Sequence, residues 1–95
     1  VVSTYRVDVL KGENWLAWKT RMDCILHLFD LSEYVEGQVQ KPDPENTNAY
    51  ETWRRHDNIA RFLILINISD EEMPHIYESS TAADMWRNLS AVHEA

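Results

Sequence analysis

The sequence predicts an all-α fold, a compact bundle of about five helices with an extended N-terminal arm. Apolar residues recur at helical spacing through the long segments, and only two glycines and three prolines interrupt the chain. Four Trp, four Tyr and two Phe supply core material. A chain of 95 residues buries roughly two-thirds of its unfolded surface, so we expect one domain over residues 1–95.

Residues 1–10 predict an extended arm, because the apolar residues at positions 5, 7 and 9 alternate with charged residues at 6 and 8. A single short strand needs a surface or an edge to pair with. The sequence leaves open whether that partner lies in the same chain or in a neighbouring copy. Gly12 ends the arm, and Asn14 is the predicted N-cap of the first helix.

The first long helix is predicted over about residues 15–29. Its apolar residues fall on one stripe at helical spacing, which indicates the side that faces the core. The predicted core residues of this helix are Trp15, Trp18, Met22, Ile25, Leu26 and Phe29. A short second helix follows over about residues 31–35, with Ser32 as its cap, and Gly37 ends it.

The second long helix is predicted over about residues 49–66, with Asn48 as its cap. The loop before it, 38–48, contains two prolines that block helix formation. One side of the helix carries the predicted core residues Trp53, Ala60, Leu63 and Ile64. Because apolar residues at 59, 62 and 66 cover much of the other side, we expect the C-terminal half to be central and buried.

Two shorter helices complete the predicted bundle. Ser69 and the three acids after it open one of them, with a hydroxyl cap and negative charges against the positive helix end. Thr81 to Asp84 approximates a capping box that opens the last helix. The core residues of that helix are predicted to be Met85, Trp86 and Leu89. No C-cap signal precedes Ala95, so we expect the natural protein to continue beyond it.

The net charge of −7 is spread along the chain. Because an acidic surface repels phosphate, direct binding of nucleic acid or of an anionic membrane by this chain is disfavoured. The longest apolar run, 62–66, is too short to cross a bilayer. Cys24 is the only cysteine, which excludes an internal disulfide and a cysteine-rich zinc knuckle and favours a reducing, cytoplasmic setting.

No cluster of side chains predicts catalysis or metal binding. The four histidines fall on different predicted helices, whereas metal sites need ligands that converge. Cys24, His27 and Asp23 would form a sparse nucleophile set, but a reactive thiol needs an electropositive pocket that nothing signals. We interpret Cys24 as a small, partly buried apolar residue. We therefore assign no catalytic, cofactor-binding or metal-ligating residue.

Asp57 falls on the predicted buried stripe of the second long helix, beside Trp53. Arg54 and Arg61 lie three residues before and four after it, so we expect an ion pair within the helix at the edge of the core. A contact that sets specificity for a partner is the alternative. Arg54 and Arg55 could also line a basic ring in an assembly and bind a polyanion.

The back of the first helix, opposite the Trp stripe, is almost uncharged, whereas a solvated helix face carries more charge. Either other helices of the same domain cover it, which we favour slightly, or it forms a subunit interface. The uncharged back consists of Leu16, Ala17, Thr20, Cys24, His27 and Leu28. The interface candidates are Leu16, Thr20, Cys24, His27, Leu28, Arg54 and Arg55.

Four phrases stand in order along the chain. They are Leu10-Lys-Gly-Glu-Asn-Trp15-Leu-Ala-Trp18 with Met22 and Leu26; Leu31 to Tyr34 with Val35-Glu36-Gly37; Trp53, Asp57 and Ala60 before an Ile-rich segment that ends at Asn67-Ile68-Ser69; and Thr81-Ala82-Ala83-Asp84-Met85-Trp86-Arg87-Asn88-Leu89. Their order and spacing from Leu10 onward resemble those of copia-type LTR retrotransposon Gag proteins, in the N-terminal capsid region. The second phrase departs from that pattern, because Trp is absent from it, and Asp84 replaces the usual Glu.

The resemblance implies a structural capsid role without catalysis. Gag proteins of such elements self-associate into intracellular particles that package the element RNA. The RNA is usually bound by a downstream basic or zinc-knuckle region. This chain would therefore contact RNA only indirectly, as a homo-oligomer that binds neither a membrane nor a cofactor. A domesticated Gag-derived adaptor that binds a peptide or helix of a host protein is the alternative. A small enzyme using Cys24 is a distant third.

Overall fold

The computed structural model describes residues 6–95, and within them the chain forms five α-helices and no strand. The helices are α1 (Trp15–Leu28), α2 (Ser32–Val35), α3 (Thr47–Leu65), α4 (Met73–Ile76) and α5 (Ala82–His93). A 3-10 turn over Asp70–Glu72 leads into α4. The radius of gyration is 13.3 Å, close to the value of about 13 Å for a compact chain of this size. The predicted all-α class is confirmed.

The core centres on three tryptophans from the two ends of the chain. The Trp18 ring stacks on the Trp15 ring, with centroids 5.7 Å apart, and on the Trp86 ring, with centroids 5.8 Å apart. The Trp18 indole Nε1 also donates a hydrogen bond of 2.7 Å to the Asn67 carbonyl, so the buried ring has a partner for its polar atom. Other predicted core residues that are buried are Met22, Leu26, Trp53, Ala60, Leu63, Ile64, Met85 and Leu89; Ile25 is half-buried against them.

The described part of the N-terminal arm, residues 6–10, bends at Asp8 and pairs within the chain. The Leu10 N–H donates to the Asn67 carbonyl at 2.9 Å, and the Ser69 N–H donates to the Leu10 carbonyl at 3.0 Å, which forms an isolated parallel bridge between Leu10 and Ile68. The Val7 N–H donates to Asn67 Oδ1 at 2.9 Å. The rest of the predicted arm, residues 1–5, lies outside the described residues.

Asn14 precedes α1 as predicted, but its side chain does not cap the helix. Its Oδ1 accepts the Lys11 N–H at 2.9 Å, and its Nδ2 donates to the Val9 carbonyl at 3.0 Å. The amide therefore holds the turn around Gly12, which has a φ of +95°. An Asn side chain bonds to whichever backbone groups lie nearest, and here those belong to the arm.

The end of α1 differs from the prediction, because Phe29 lies outside the core and is 38% exposed. The helix ends at Leu28 because Asp30 adopts a left-handed conformation, with φ +57°. The Asp30 N–H donates to the His27 carbonyl at 3.0 Å and the Leu31 N–H to the Leu26 carbonyl at 2.7 Å, the two bonds of a Schellman motif. This reversal directs Leu31, not Phe29, into the core.

The start of α2 also corrects the prediction, because Leu31 is its N-cap and Ser32 is its first helical residue. Gly37 follows α2 with a φ of +77°, a conformation that favours glycine.

The helix α3 begins at Thr47 with Asn46 as N-cap, two residues before the predicted start, and Asn48 lies inside it. Its predicted core side is buried, but its C-terminal half is not covered all round. Ile59 and Leu65 are exposed, and Phe62 is 47% exposed. The expectation of a central helix is wrong because neighbouring helices pack on one side of α3 alone.

The two predicted caps near the C-terminal end have different outcomes. The Thr81 hydroxyl accepts the Asp84 N–H at 3.1 Å, which confirms it as the cap of α5. Ser69 precedes the 3-10 turn without a side-chain cap, and its Oγ is buried without a partner among residues 6–95. Of the three acids after it, Glu72 is buried and its Oε1 lies 2.7 Å from His93 Nε2, so this carboxylate pairs with α5.

Candidate functional site

The outer face of α1 is exposed, which excludes one of the two interpretations of its uncharged back, namely burial by other helices of the same domain. We call Leu16, Ala17, Thr20, Cys24, His27 and Leu28 the α1 outer face; all six are exposed. Leu16 is 77% and Leu28 65% exposed. Burial within the domain, the slightly favoured expectation, is therefore wrong: α1 presents its Trp stripe to the other helices, and no other element in residues 6–95 covers its back.

The polar side chains of the α1 outer face bond to their own helix. Thr20 Oγ1 donates to the Leu16 carbonyl at 2.8 Å, and His27 Nδ1 donates to the Asp23 carbonyl at 2.7 Å. These bonds satisfy donors that would otherwise require water. The face is thus free of formal charge and presents mostly methyl, methylene and thiol groups.

A second exposed apolar strip runs along the C-terminal half of α3. We call Ile59, Phe62 and Leu65 the α3 outer strip, and all three are exposed. Two of these residues, Ile59 and Phe62, belong to the apolar pattern of the helix and were expected in the core. The amphipathic pattern locates two apolar sides on this helix without showing how many neighbouring helices are available to cover them.

The predicted basic pair on α3 is exposed, but only in part available to an anion. Arg54 is bound by Glu51, with Nη2 2.8 Å and Nε 3.2 Å from the same carboxylate oxygen. The hydrogen bond from Arg54 and its charge lower the pKa of Glu51. Arg55 is exposed beside this pair. The positive charge that could meet a polyanion here is therefore smaller than the sequence suggests.

Asp57 is buried as predicted, but it does not form the expected ion pair with Arg54 or Arg61. Its Oδ1 accepts the Ala82 N–H at 2.9 Å, so a carboxylate of α3 caps the first turn of α5. Burial raises the pKa of the Asp57 carboxyl, and the Ala82 N–H and the charges of Arg61 and Lys41 oppose that rise. The partner is 25 residues away in sequence, where no local pattern could reveal it.

A buried acid–base pair also escaped sequence reasoning. Glu72 Oε1 and His93 Nε2 lie 2.7 Å apart with both side chains less than 10% exposed, and the His93 ring stacks on the Trp15 ring with centroids 5.0 Å apart. The neighbouring Glu94 accepts hydrogen bonds from Trp15 Nε1 at 3.0 Å and from Lys19 Nζ at 2.7 Å. The stacking of His93 on Trp15 and the hydrogen bonds of Glu94 connect α1 to the C-terminal segment, which gives His93 and its partner Glu72 a structural role.

The candidate nucleophile set is not assembled. Cys24 is exposed on the α1 outer face, so the expectation of a partly buried thiol is wrong. The Nδ1 of His27 is engaged by a backbone carbonyl rather than by the thiol. Across residues 6–95, no group of three or more His, Cys, Asp and Glu residues could hold a metal ion. In the same range, no helix has the length and apolar character needed to cross a bilayer.

Comparison with known proteins identifies one family. The family described as gag-polypeptide of LTR copia-type matches residues 22–95. Retrovirus-related Pol polyproteins from transposon RE2 of Arabidopsis thaliana and from transposon TNT 1-94 of Nicotiana tabacum are 25% and 28% identical over 97% and 94% of this chain. The chain spans 7% of the length of each relative. No solved structure matches it.

Proposed function

The chain belongs to the gag-polypeptide family of copia-type LTR elements, and we propose that it is an N-terminal capsid domain that self-associates to build particles. The domain works as a structural subunit, without catalysis of its own. The particles form in the cytoplasm and package the element RNA. The observation that supports this proposal best is the α1 outer face, which is exposed and uncharged in the isolated chain.

The α1 outer face has the chemistry of a contact between subunits. Each buried apolar Å² contributes about 25 cal/mol, and this face has two leucines that are more than half exposed. Its polar side chains bond to their own helix, so covering the face leaves few donors unpaired. Weak contacts of this kind suffice in a shell because many of them act together.

A closed shell needs more than one contact surface on each subunit, and the α3 outer strip is the second candidate. It lies on a different helix from the α1 outer face and is also apolar. Arg55 is exposed on the same helix. Contacts through two distinct surfaces allow a subunit to meet different neighbours in an assembly.

The acidic charge of the chain supports the part of the proposal in which another region of the Gag protein binds RNA. The net charge is −7, and Arg54 is already bound to Glu51. Phosphate binding depends on clustered Lys and Arg. In this proposal the domain forms the contacts between subunits, and a region outside this chain binds the RNA.

Two charges placed on the α1 outer face test the proposal. We expect the sedimentation coefficient of the wild-type chain to rise with concentration, and the full-length Gag protein that carries it to form particles visible by electron microscopy. The double variant Leu16→Glu, Leu28→Glu should stay monomeric and form no particles, because association would bury two carboxylates. Both positions are exposed, so the variant should keep its helical circular dichroism.

The matched control is Tyr77→Glu, Val92→Glu, which places the same two charges at exposed apolar residues outside both surfaces. This variant should assemble like the wild type. A full-length Gag protein that remains monomeric at every concentration would overturn the proposed function. If Leu16→Glu, Leu28→Glu assembles as well as this control, self-association stands and the α1 outer face is not its interface.

A further inference from the structure

A small groove lies on the side of the domain where α2, α3 and the start of α5 meet. It encloses about 180 Å³, less than the roughly 300 Å³ at which pockets for small organic ligands begin, so it has room for one side chain. We call it the Trp53 groove. Its lining residues are Tyr34, Gly37, Val39, Gln40, Lys41, Trp53, Asp57, Thr81 and Ala83.

The walls of the Trp53 groove combine aromatic rings with a buried carboxylate. Trp53 is buried, and Tyr34 is fixed by stacking on the His56 ring, with centroids 5.2 Å apart. Asp57 is only 4% exposed. Its Oδ1 accepts the Ala82 N–H, and no donor within residues 6–95 reaches its Oδ2. A carboxylate oxygen without a partner beside aromatic rings favours a cation.

The groove already has a cation at its edge. Lys41 Nζ lies 5.6 Å from the centroid of the Trp53 ring and 5.9 Å from that of the Tyr50 ring. Its charge acts on Asp57 and partly offsets the effect of burial on that carboxyl. Lys41 itself is exposed and belongs to an irregular loop. It therefore covers the Trp53 ring from the solvent side, in a position from which a second cation can displace it.

The backbone along one wall is available to a peptide. Residues 39–41 lie in neither helix nor strand, and no hydrogen bond to their backbone N–H groups is found among the described residues. Backbone groups of this kind bind water or a partner. The N–H groups of these residues are therefore able to hydrogen-bond a peptide segment laid beside them.

We propose that the Trp53 groove binds a protonated lysine or arginine side chain presented by an extended peptide segment, and that Lys41 competes for the Trp53 ring. The charge of the site selects the occupant: a carboxylate lies at the base and the whole chain carries −7. The aromatic walls accept the methylene stem of such a side chain and hold its charged end. This inference is independent of the proposed self-association, which uses other surfaces.

The test is an NMR titration of the chain with two peptides, acetyl-Gly-Lys-Gly-amide and the same peptide with norleucine in place of lysine. We expect the lysine peptide to shift the Trp53 indole Nε1–H in a saturable way. The norleucine peptide should bind at least about ten-fold more weakly, since it lacks the charged hydrogen bond. Equal binding of both peptides, or shifts confined to the other tryptophans, would overturn the proposal.

Two variants show whether the named side chains are responsible. Asp57→Asn keeps an oxygen that accepts the Ala82 N–H, so it should fold, and it should lose the preference for lysine over norleucine. Lys41→Met should bind the lysine peptide several-fold more tightly, whereas Lys11→Met, at an exposed lysine of the arm, should bind as the wild type. Unchanged preference in Asp57→Asn would overturn the proposed role of the carboxylate.

The test of peptide binding can be distinguished from the test of self-association. Sedimentation of the same Asp57→Asn and Lys41→Met variants should match that of the wild type, because neither residue lies on the α1 outer face or the α3 outer strip. Loss of assembly in these variants, with peptide binding absent in the wild type, would mean that the groove is part of a subunit contact instead and would overturn the inference.

Discussion

Trp18 connects α1 both to α5 and to the segment that follows α3. It is buried, stacks on two other tryptophan rings and donates a hydrogen bond to the Asn67 carbonyl. Its position was predictable because the 3.6-residue period of a helix places it on the apolar stripe. Its hydrogen-bond partner was not, because Asn67 is 49 residues away and an asparagine gives no sign of burial.

We expect Trp18→Ala to unfold the domain or to leave it only marginally stable. Removing a buried tryptophan costs about 3–5 kcal/mol, and small domains have in total about 5–15 kcal/mol. Urea unfolding followed by circular dichroism measures the loss. Val92→Ala, at an exposed residue of α5, is the control and should cost less than about 0.5 kcal/mol. A cooperatively folded Trp18→Ala variant with stability near that of the control would contradict this account of the core.

At Asp30 we expect a substitution that increases the stability of the domain. It occupies the left-handed position that ends α1, with φ +57°, where glycine meets no steric penalty. We expect Asp30→Gly to stabilise the domain by about 0.5 kcal/mol, since relief of the left-handed strain slightly exceeds the added entropy of the unfolded chain. Asp30→Val should destabilise it by about 1–2 kcal/mol, because a β-branched residue resists that conformation. Thermal unfolding of both variants measures these changes in stability. A loss of stability in Asp30→Gly would show that the Asp30 side chain contributes more to stability than its backbone strain costs.

The sequence predicts where the helices lie, but it does not predict which of their faces are buried. All five predicted helices are present, because each pattern is contained in its own segment. The Thr81 cap was predictable, since its partner Asp84 is three residues away. The predicted Asn14 and Ser69 caps are absent, because side chains of that type also bond to other nearby groups or remain buried without a partner.

The two apolar surfaces also could not be recognised as exposed from the sequence. An uncharged helix face has the same sequence pattern whether a neighbouring helix covers it or not. The α1 outer face was expected inside the domain and is exposed; the second side of α3 was expected in the core and is exposed in part. The number of helices in the bundle decides such cases, and five helices, two of them of four residues, do not supply enough surface to cover both.

At the scale of the whole molecule, the acidic charge and the apolar surfaces act in opposite directions on association. Each copy carries −7 in a body of 42 × 29 × 20 Å. The Debye length is about 30 Å at 0.01 M salt and about 3 Å at 1 M salt, so at low salt one copy senses nearly the full charge of another. Contacts through the uncharged α1 outer face must form against this repulsion.

We therefore expect self-association of the chain to strengthen as sodium chloride rises from about 0.02 M to about 0.5 M, since screening weakens the repulsion and leaves the apolar contact intact. Sedimentation velocity at matched protein concentrations measures the change. Ion pairs or polyanion bridges through Arg54 and Arg55 would respond in the opposite way, because salt weakens them. Association that falls steadily as salt increases would thus place the subunit contact on the arginines of α3 and not on the α1 outer face.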